Sequence, residues 1–273
     1  MVKKNYHTTL LCVFFLCCVI SCEVDLAGFI ASKDLDIRLE AANEFNFIKP
    51  QWNNFTTTDT YDFIVVSDTH IKGNDTHGLE NLKNYLGDAA FVVVTGDITQ
   101  SCTREELNRF IETANSFNVP CYPVIGNHDI YFGNWSVWRD LIGSTRYRID
   151  TDSTTLFILD SANAFFGDDQ INWMQNEMKT AKQNIFIFSH ANLFSNNKPS
   201  PAQQQFTNNI ERSYFISILD SRCKGYFSGH IHDRVINKIR ETNFITLEDF
   251  VGNKTFCVVH VNTAGITWEF KQF

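Results

Sequence analysis

Short apolar runs recur along the chain, and each is followed at once by polar side chains capable of chemistry. Phe63-Ile64-Val65-Val66 leads into Ser67-Asp68-Thr69-His70, and Phe91-Val92-Val93-Val94 into Thr95-Gly96-Asp97-Ile98. Val119-Pro120-Cys121-Tyr122-Pro123-Val124-Ile125 leads into Gly126-Asn127-His128-Asp129. Asn184-Ile185-Phe186-Ile187-Phe188 ends at Ser189-His190, and Gly225-Tyr226-Phe227-Ser228 at Gly229-His230-Ile231-His232. Apolar runs of this length, without alternation, predict strands buried on both faces.

Between the runs the spacing changes to that of helices. Leu79, Leu82 and Leu86 predict a short helix over 78–86. Thr103-Arg104-Glu105-Glu106 has the form of a capping box, opening a helix with Leu107, Phe110, Ile111 and Ala114 inward. Ile171, Met174 and Met178 mark a helix over 168–181, and 206–219 also reads as helical. Residues 147–150 and 155–160 predict an antiparallel pair. The strand-rich end, 234–273, closes with a hairpin of 256–261 and 265–270 around Asn262-Thr263-Ala264. Strands alternating with helices predict a layered α/β fold.

The N-terminus has a different grammar. Lys3 and Lys4 precede the apolar run 10–20 and then Ser21-Cys22, the three-part form of a secretory signal peptide. The run is too short to span a bilayer, which takes about 20 apolar residues. The junction Val19-Ile20-Ser21-Cys22 is similar to a bacterial lipobox, so Cys22 is expected to be a lipid anchor on an exported, cell-envelope lipoprotein, on the periplasmic or surface side of a bacterial membrane. The expected organisation is a signal peptide over 1–21, an anchor and N-terminal stem over 22–60, and one domain over 61–273. Within the stem, 33–45 is weakly helical, with Leu35, Ile37, Leu39 and Ala42 among charges, and 53–60 is a polar connector.

At 273 residues and 44% hydrophobic content the chain can bury a full core as one domain. Loss of residues 1–21 removes two lysines and no acidic group, taking the net charge from -8 to -10. Such a surface repels polyanions, which argues against a nucleic-acid polymer as partner. A phosphate-bearing substrate must then be attracted locally, by cations inside a site. Cys102, Cys121, Cys223 and Cys257 remain beyond Cys22, without metal-ligand spacing. Cys102 and Cys121 flank a predicted helix that would hold them on the order of 20 Å apart, too far for a disulfide.

The polar groups that follow the strands are Asp68 and His70, Asp97, Asn127 and His128, His190, and His230 and His232. In open α/β sheets the carboxyl ends of strands are where ligands bind. Five of the eight histidines fall in these segments, a sorting that scattered core histidines would not show. His7, His77 and His260 lie outside them.

In order, Asp68-Thr69-His70, Gly96-Asp97, Gly126-Asn127-His128-Asp129, His190 and Gly229-His230-Ile231-His232 resemble the signature of the calcineurin-like metallophosphoesterase superfamily, which reads D-x-H, G-D, G-N-H-D/E, H and G-H-x-H. The resemblance covers residue 61 to the C-terminus. It implies an αββα architecture, a layered β-sandwich flanked by helices, and hydrolysis of small phosphate esters, diester or monoester. It also implies two divalent metal ions, Mn, Fe or Zn, with Asp68, His70 and His232 on one, Asn127, His190 and His230 on the other, and Asp97 bridging. Mixed nitrogen and oxygen ligation suits those metals better than Mg or Ca, and a bridging water acidified to hydroxide would attack in line. His128 would face the substrate as general acid or stabiliser, with Asp129 orienting its imidazole.

The continuation Ile98-Thr99-Gln100-Ser101 lacks the arginine of protein Ser/Thr phosphatases, and Asp68-Thr69-His70 differs from the first motif of purple acid phosphatases. The pattern is closer to phosphodiesterase-like and nucleotidase-like members. A surface lipoprotein binding metal or ligand without turnover is the second function class; a scaffold freed from catalysis has no need of His128 beside two filled shells. Residues 130–138, rich in Tyr, Phe and Trp, could stack on a base or fill a core.

Overall fold

The computed structural model describes residues 34–45, 57–194 and 209–273. Cys22, the signal segment and residues 195–208, the last of which include the expected start of the helix over 206–219, lie outside them.

In chain order the elements are α1 (Asp34–Phe45), β1 (Tyr61–Val66), a 3₁₀ segment (Leu79–Asn84), β2 (Ala89–Val94), α2 (Arg104–Asn115), β3 (Cys121–Pro123), a second 3₁₀ segment (His128–Gly133) and α3 (Trp135–Leu141). There follow β4 (Tyr147–Asp150), β5 (Thr154–Ile158), α4 (Asp168–Met178), β6 (Asn184–Phe188), α5 (Asn209–Ile218), β7 (Cys223–Ser228), β8 (Val235–Ile239), β9 (Thr242–Thr246), α6 (Phe250–Asn253), β10 (Thr255–Asn262) and β11 (Gly265–Gln272).

They form two mixed sheets, ordered β11-β10-β1-β2-β3 and β4-β5-β6-β7-β9-β8. β1, β2 and β3 run parallel, as do β5, β6, β7 and β9, with antiparallel strands at the margins. The sheets face each other across one apolar layer, and helices cover their outer faces, which is the expected layered sandwich.

The uninterrupted apolar runs follow from this arrangement. In β1, Phe63 and Val65 point into the layer between the sheets, while Ile64 and Val66 point outward beneath α2 and α3. β2 repeats the division, with Phe91 and Val93 inward and Val92 and Val94 outward. In the second sheet Phe186 and Phe188 face the layer and Ile185 and Ile187 face α4 and α5. Because side chains alternate along a strand, burial on both faces demands an apolar residue at every position.

The helices match their spacing with local adjustments. Thr103 and Glu106 form a reciprocal capping box at the start of α2, and Ile171, Met174 and Met178 are buried on α4. The segment with Leu79 and Leu82 buried is 3₁₀ rather than α-helical. β3 is shorter than its apolar run. Pro120 and Pro123 have no N–H to donate, and among the described residues β3 pairs with β2 alone, so the ladder is confined to an edge.

The weak helix near residue 34, expected as part of a stem, is packed against the domain. Leu35, Leu39 and Ala42 of α1 are buried, and Arg38, also buried, donates from Nε and Nη2 to the Asp160 carboxylate at 2.7 and 3.0 Å. Cys102, Cys121, Cys223 and Cys257 are buried free thiols. Among the described residues no helix is long and apolar enough to cross a membrane.

Candidate active site

β1, β2 and β3 of one sheet and β6 and β7 of the other end at the same edge of the sandwich, and the loops that follow bring Asp68, His70, Asp97, Asn127, His128, His190, His230 and His232 together. Asp68 and Asp97 are 0% and 2% exposed. Three groups of ligand-capable side chains have atoms within 4.8 Å of one another: Asp68, His70 and His232; His70, Asp97 and His128; and Asp97, His190 and His230. Asp97 is the hub. Its Oδ2 lies 3.3 Å from His190 Nε2, 3.9 Å from His70 Nε2 and 4.0 Å from His128 Nε2, while its Oδ1 accepts from the His128 backbone N–H at 2.8 Å.

The loops are held open toward this centre at a conformational cost. Asp68, His70, Asp97, His230 and His232 all have positive φ, between 40° and 76°. For residues other than glycine this left-handed region costs about 1–2 kcal/mol each, and such outliers cluster at functional sites. Backbone bonds brace the first two loops: Asp68 N–H donates to Gly96 O, His70 N–H to Asp97 O and Ile71 N–H to Ile98 O.

Two of the motif glycines are there for space. A Cβ on Gly126 would lie 2.1 Å from the Asp97 backbone nitrogen, and one on Gly229 would lie 1.8 Å from Ser67 Oγ and 2.3 Å from Asp68 Oδ2. Neither glycine has positive φ, so space rather than a left-handed backbone is what these positions require of glycine.

Imidazole orientation is set from behind. His190 Nδ1 lies 3.0 Å from the Thr95 carbonyl, and His128 Nδ1 lies 2.9 Å from the Gln100 carbonyl. A carbonyl only accepts, so both Nδ1 atoms carry the proton and both Nε2 atoms are turned toward the centre. His190 Nε2 sits 2.9 Å from Asn127 Oδ1 and 3.0 Å from His230 Nδ1. The His190 and Ala191 N–H groups both donate to Ser161 Oγ, next to the Asp160 that Arg38 pairs.

Asp129 departs from expectation. Its carboxylate accepts from the N–H groups of Gly126, Ile98 and Thr99 and from Thr99 Oγ1, and makes no hydrogen bond to the imidazole beside it. It ties the loop after β3 to the loop after β2, and so fixes the Gln100 carbonyl that orients His128. Burial and the nearby charge of Asp97 push its carboxyl up to about 6.

The centre is strongly polarised. Burial raises the Asp68 carboxyl, but the hydrogen bond and charge of His232 outweigh it and hold it at about 2. Asp97 is held well below the usual carboxylate range, its burial overcome chiefly by His190 and His128. Burial would depress His190, yet the charge and hydrogen bond of Asp97 lift it to about 9; Asp68 does the same for His232, also to about 9. His230, buried and facing His190, falls to about 4.

Both ring nitrogens of His70 and Nε2 of His230 are buried without a hydrogen-bond partner. Buried polar atoms left unpaired are costly. Here they are imidazole nitrogens beside carboxylates, which is the donor set of a cation site, so the residues fit bound metal.

Sequence reasoning missed the supporting contacts. Tyr131 hydroxyl lies 3.1 Å from His128 Nε2, and its aromatic neighbourhood was the available signal. His77, outside every motif, places Nε2 3.0 Å from the His70 carbonyl. His260 pairs with Asp62 away from the site.

A two-sheet sandwich with a buried His/Asp cluster able to hold metal at its strand ends fits a metallophosphoesterase. The chain belongs to the calcineurin-like phosphoesterase family, whose model matches residues 61–234, and it is a phosphoric ester hydrolase. It is similar to a probable cyclic nucleotide phosphodiesterase from Fibrobacter succinogenes, 24% identical over 197 residues that cover 66% of this chain and 77% of that protein. A probable glycerophosphodiester phosphodiesterase from Arcobacter nitrofigilis is 37% identical over 79 residues, 24% of this chain and 29% of that one. Among solved structures, a dimetal phosphatase from Danio rerio matches with a TM-score of 0.64 at 13% identity, covering 78% of this chain and 96% of its own. Purple acid phosphatase PPD1 from yellow lupin matches at 0.65 and 10% identity, covering 81% and 53%. The likeness to these two is one of fold.

Proposed function

We propose that the protein hydrolyses small phosphodiesters with two divalent cations. Asp68, His70 and His232 would hold one and Asn127, His190 and His230 the other, with Asp97 shared. The observation that carries this reading is the hub position of Asp97, in contact with imidazoles of both sets. The unpaired nitrogens of His70 and His230 support it, and the mixed nitrogen and oxygen donors favour Mn, Fe or Zn. When bound, the cations supply Lewis acidity and lower the pKa of water.

The chain's own residues supply orientation and proton handling. His128, with its Nδ1 proton committed to the Gln100 carbonyl, presents Nε2 to the substrate, where its protonated form donates to the leaving oxygen. Asp129 keeps the two flanking loops in register. The acidic net charge favours a small ester over a nucleic-acid polymer, and the two relatives named as probable phosphodiesterases favour diesters over monoesters.

Metal content and hydrolysis of bis-p-nitrophenyl phosphate and p-nitrophenyl phosphate test this together. About two metals per chain are expected, with faster diester turnover on adding Mn. His128→Ala should lose about 10²–10⁴-fold in kcat and keep its metal; undiminished turnover would remove His128 from the mechanism. We also propose export and anchoring through lipid on Cys22, supported by the apolar run that precedes it. Cys22→Ala should abolish lipid incorporation and membrane fractionation, and unchanged fractionation would overturn the anchor.

A further inference from the structure

A row of rings leads from the metal-holding cluster to solvent. His70 meets His128 edge-on at 4.5 Å between centroids, His128 lies against Tyr131 at 4.2 Å, and Tyr131 meets Phe132 at 6.0 Å with the planes at 72°. The inner rings belong to the site, and the outermost is 80% exposed. All three separations fall near or within the range in which aromatic rings attract one another.

The exposure of Phe132 is built into the backbone. Asn134 N–H donates to Tyr131 O at 2.9 Å, closing a turn whose central residues, Phe132 and Gly133, have φ of 57° and 72°. Two left-handed central residues make this a type I′ turn, where Asn-Gly is the favoured pair and a bulky aromatic in the first central place is not. The turn is pinned on both sides. Tyr131 hydroxyl rests 3.1 Å from His128 Nε2, and Asn134 donates through Nδ2 to Ser101 O at 3.0 Å. Trp138 of α3, which follows directly, is fully buried. Phe132 therefore projects from a fixed base, in a conformation its own side chain disfavours. A strained, exposed ring beside a reaction centre points to a ligand contact.

We propose that Tyr131 and Phe132 form a specificity platform for a flat aromatic arm of the phosphodiester, with the phosphate at His128 and the arm stacked along the row. This deepens the phosphodiester reading above and rests on it. Tyr131 has the further part of holding His128: with Nδ1 turned to the Gln100 carbonyl, the ring's Nε2 lies 3.1 Å from the Tyr131 hydroxyl, which fixes the imidazole at the foot of the row. A ring one step beyond Tyr131 is within reach of a group esterified to the same phosphate, and stacking needs only a π-face.

The test uses the full metal-loaded chain and Phe132→Asn, which keeps a residue favoured by the turn. Calorimetric binding of phenylphosphonate and methylphosphonate reads the platform without turnover. Wild type should favour the phenyl ligand by about tenfold, and Phe132→Asn should lose most of that preference, with a melting temperature equal to or above wild type. Phe132→Trp should restore the preference. In parallel, kcat/KM for bis-p-nitrophenyl phosphate should fall about tenfold in Phe132→Asn, mainly through KM. A phenyl preference that is absent in wild type, or that is indifferent to residue 132, overturns the platform even if the diester is hydrolysed. A phenyl preference that behaves as expected in a protein that does not hydrolyse the diester upholds the platform and overturns the phosphodiester reading alone.

Discussion

The layer between the sheets and the edge where their strands end are built from the same segments under opposite rules. In the layer, Phe63 stacks on Phe91 at 4.7 Å and meets Phe186 and Phe227 edge-on at 5.0 and 5.7 Å, all on regular strand backbone. Five residues after Phe63, Asp68 is an equally buried carboxylate on left-handed backbone. The layer gains from burial and carries no unpaired charge. The edge gathers strained residues, desolvated carboxylates and unpartnered imidazole nitrogens. The contrast teaches that the site does not hold itself together; the strands beneath it over-determine where its loops begin, and the strain persists because that foundation is rigid.

The comparison breaks most severely at its apolar end. Phe63→Ala removes the ring at the centre of the cluster and should cost about 3–5 kcal/mol in denaturant unfolding, while hydrolysis by the fraction that remains folded changes little. A loss of activity with stability intact would reverse the assigned division. Arg38→Met should cost about 3 kcal/mol, because Asp160 is left buried and uncompensated. Adding Asp160→Asn should recover much of it, and a double variant no better than the single one would show that the pairing is not the cause.

Proton release sharpens the polar end. His190 and His232, held up near 9, are protonated at neutral pH in the metal-free protein, whereas a metal takes the neutral ring. Metal uptake should therefore release protons, and apparent affinity should rise with pH toward 9 by about tenfold per unit for each proton displaced. Titration with Zn in weakly buffered dye at pH 7 reads this directly; a flat response would mean those imidazoles do not take metal. The smallest effect belongs to the cap of α2. Thr103→Ala removes the side-chain cap of α2 and should cost about 1 kcal/mol with hydrolysis unchanged, followed by thermal melting.

What was legible in the chain follows the same division. β1, β2 and β6 were readable because burial on both faces leaves an unbroken apolar run, β7 from its shorter Tyr226-Phe227 core, and the ligand-bearing residues because they stand directly after those segments. β8 and β9 were legible only as part of a strand-rich end, since β8 alternates buried and exposed residues without an unbroken run. Contacts across long sequence separations were not legible at all. Arg38 stands among ordinary helix charges, and nothing local shows that its partner lies 122 residues away. Asp129 sits beside His128 in sequence and suggested a direct contact, but its acceptor atoms are turned to backbone N–H groups of two loops. His77 belongs to no motif, and its position behind His70 follows from the local turn of the chain.

The Arg38–Asp160 pair has a consequence for how the enzyme can be handled in the laboratory. Family similarity begins at residue 61, which invites a recombinant product trimmed to that boundary. Such a product would leave Asp160 without its cation, next to the serine whose hydroxyl receives the His190 and Ala191 amides. The smallest portion worth purifying therefore starts ahead of Asp34, because the recognisable domain and the self-sufficient one have different first residues.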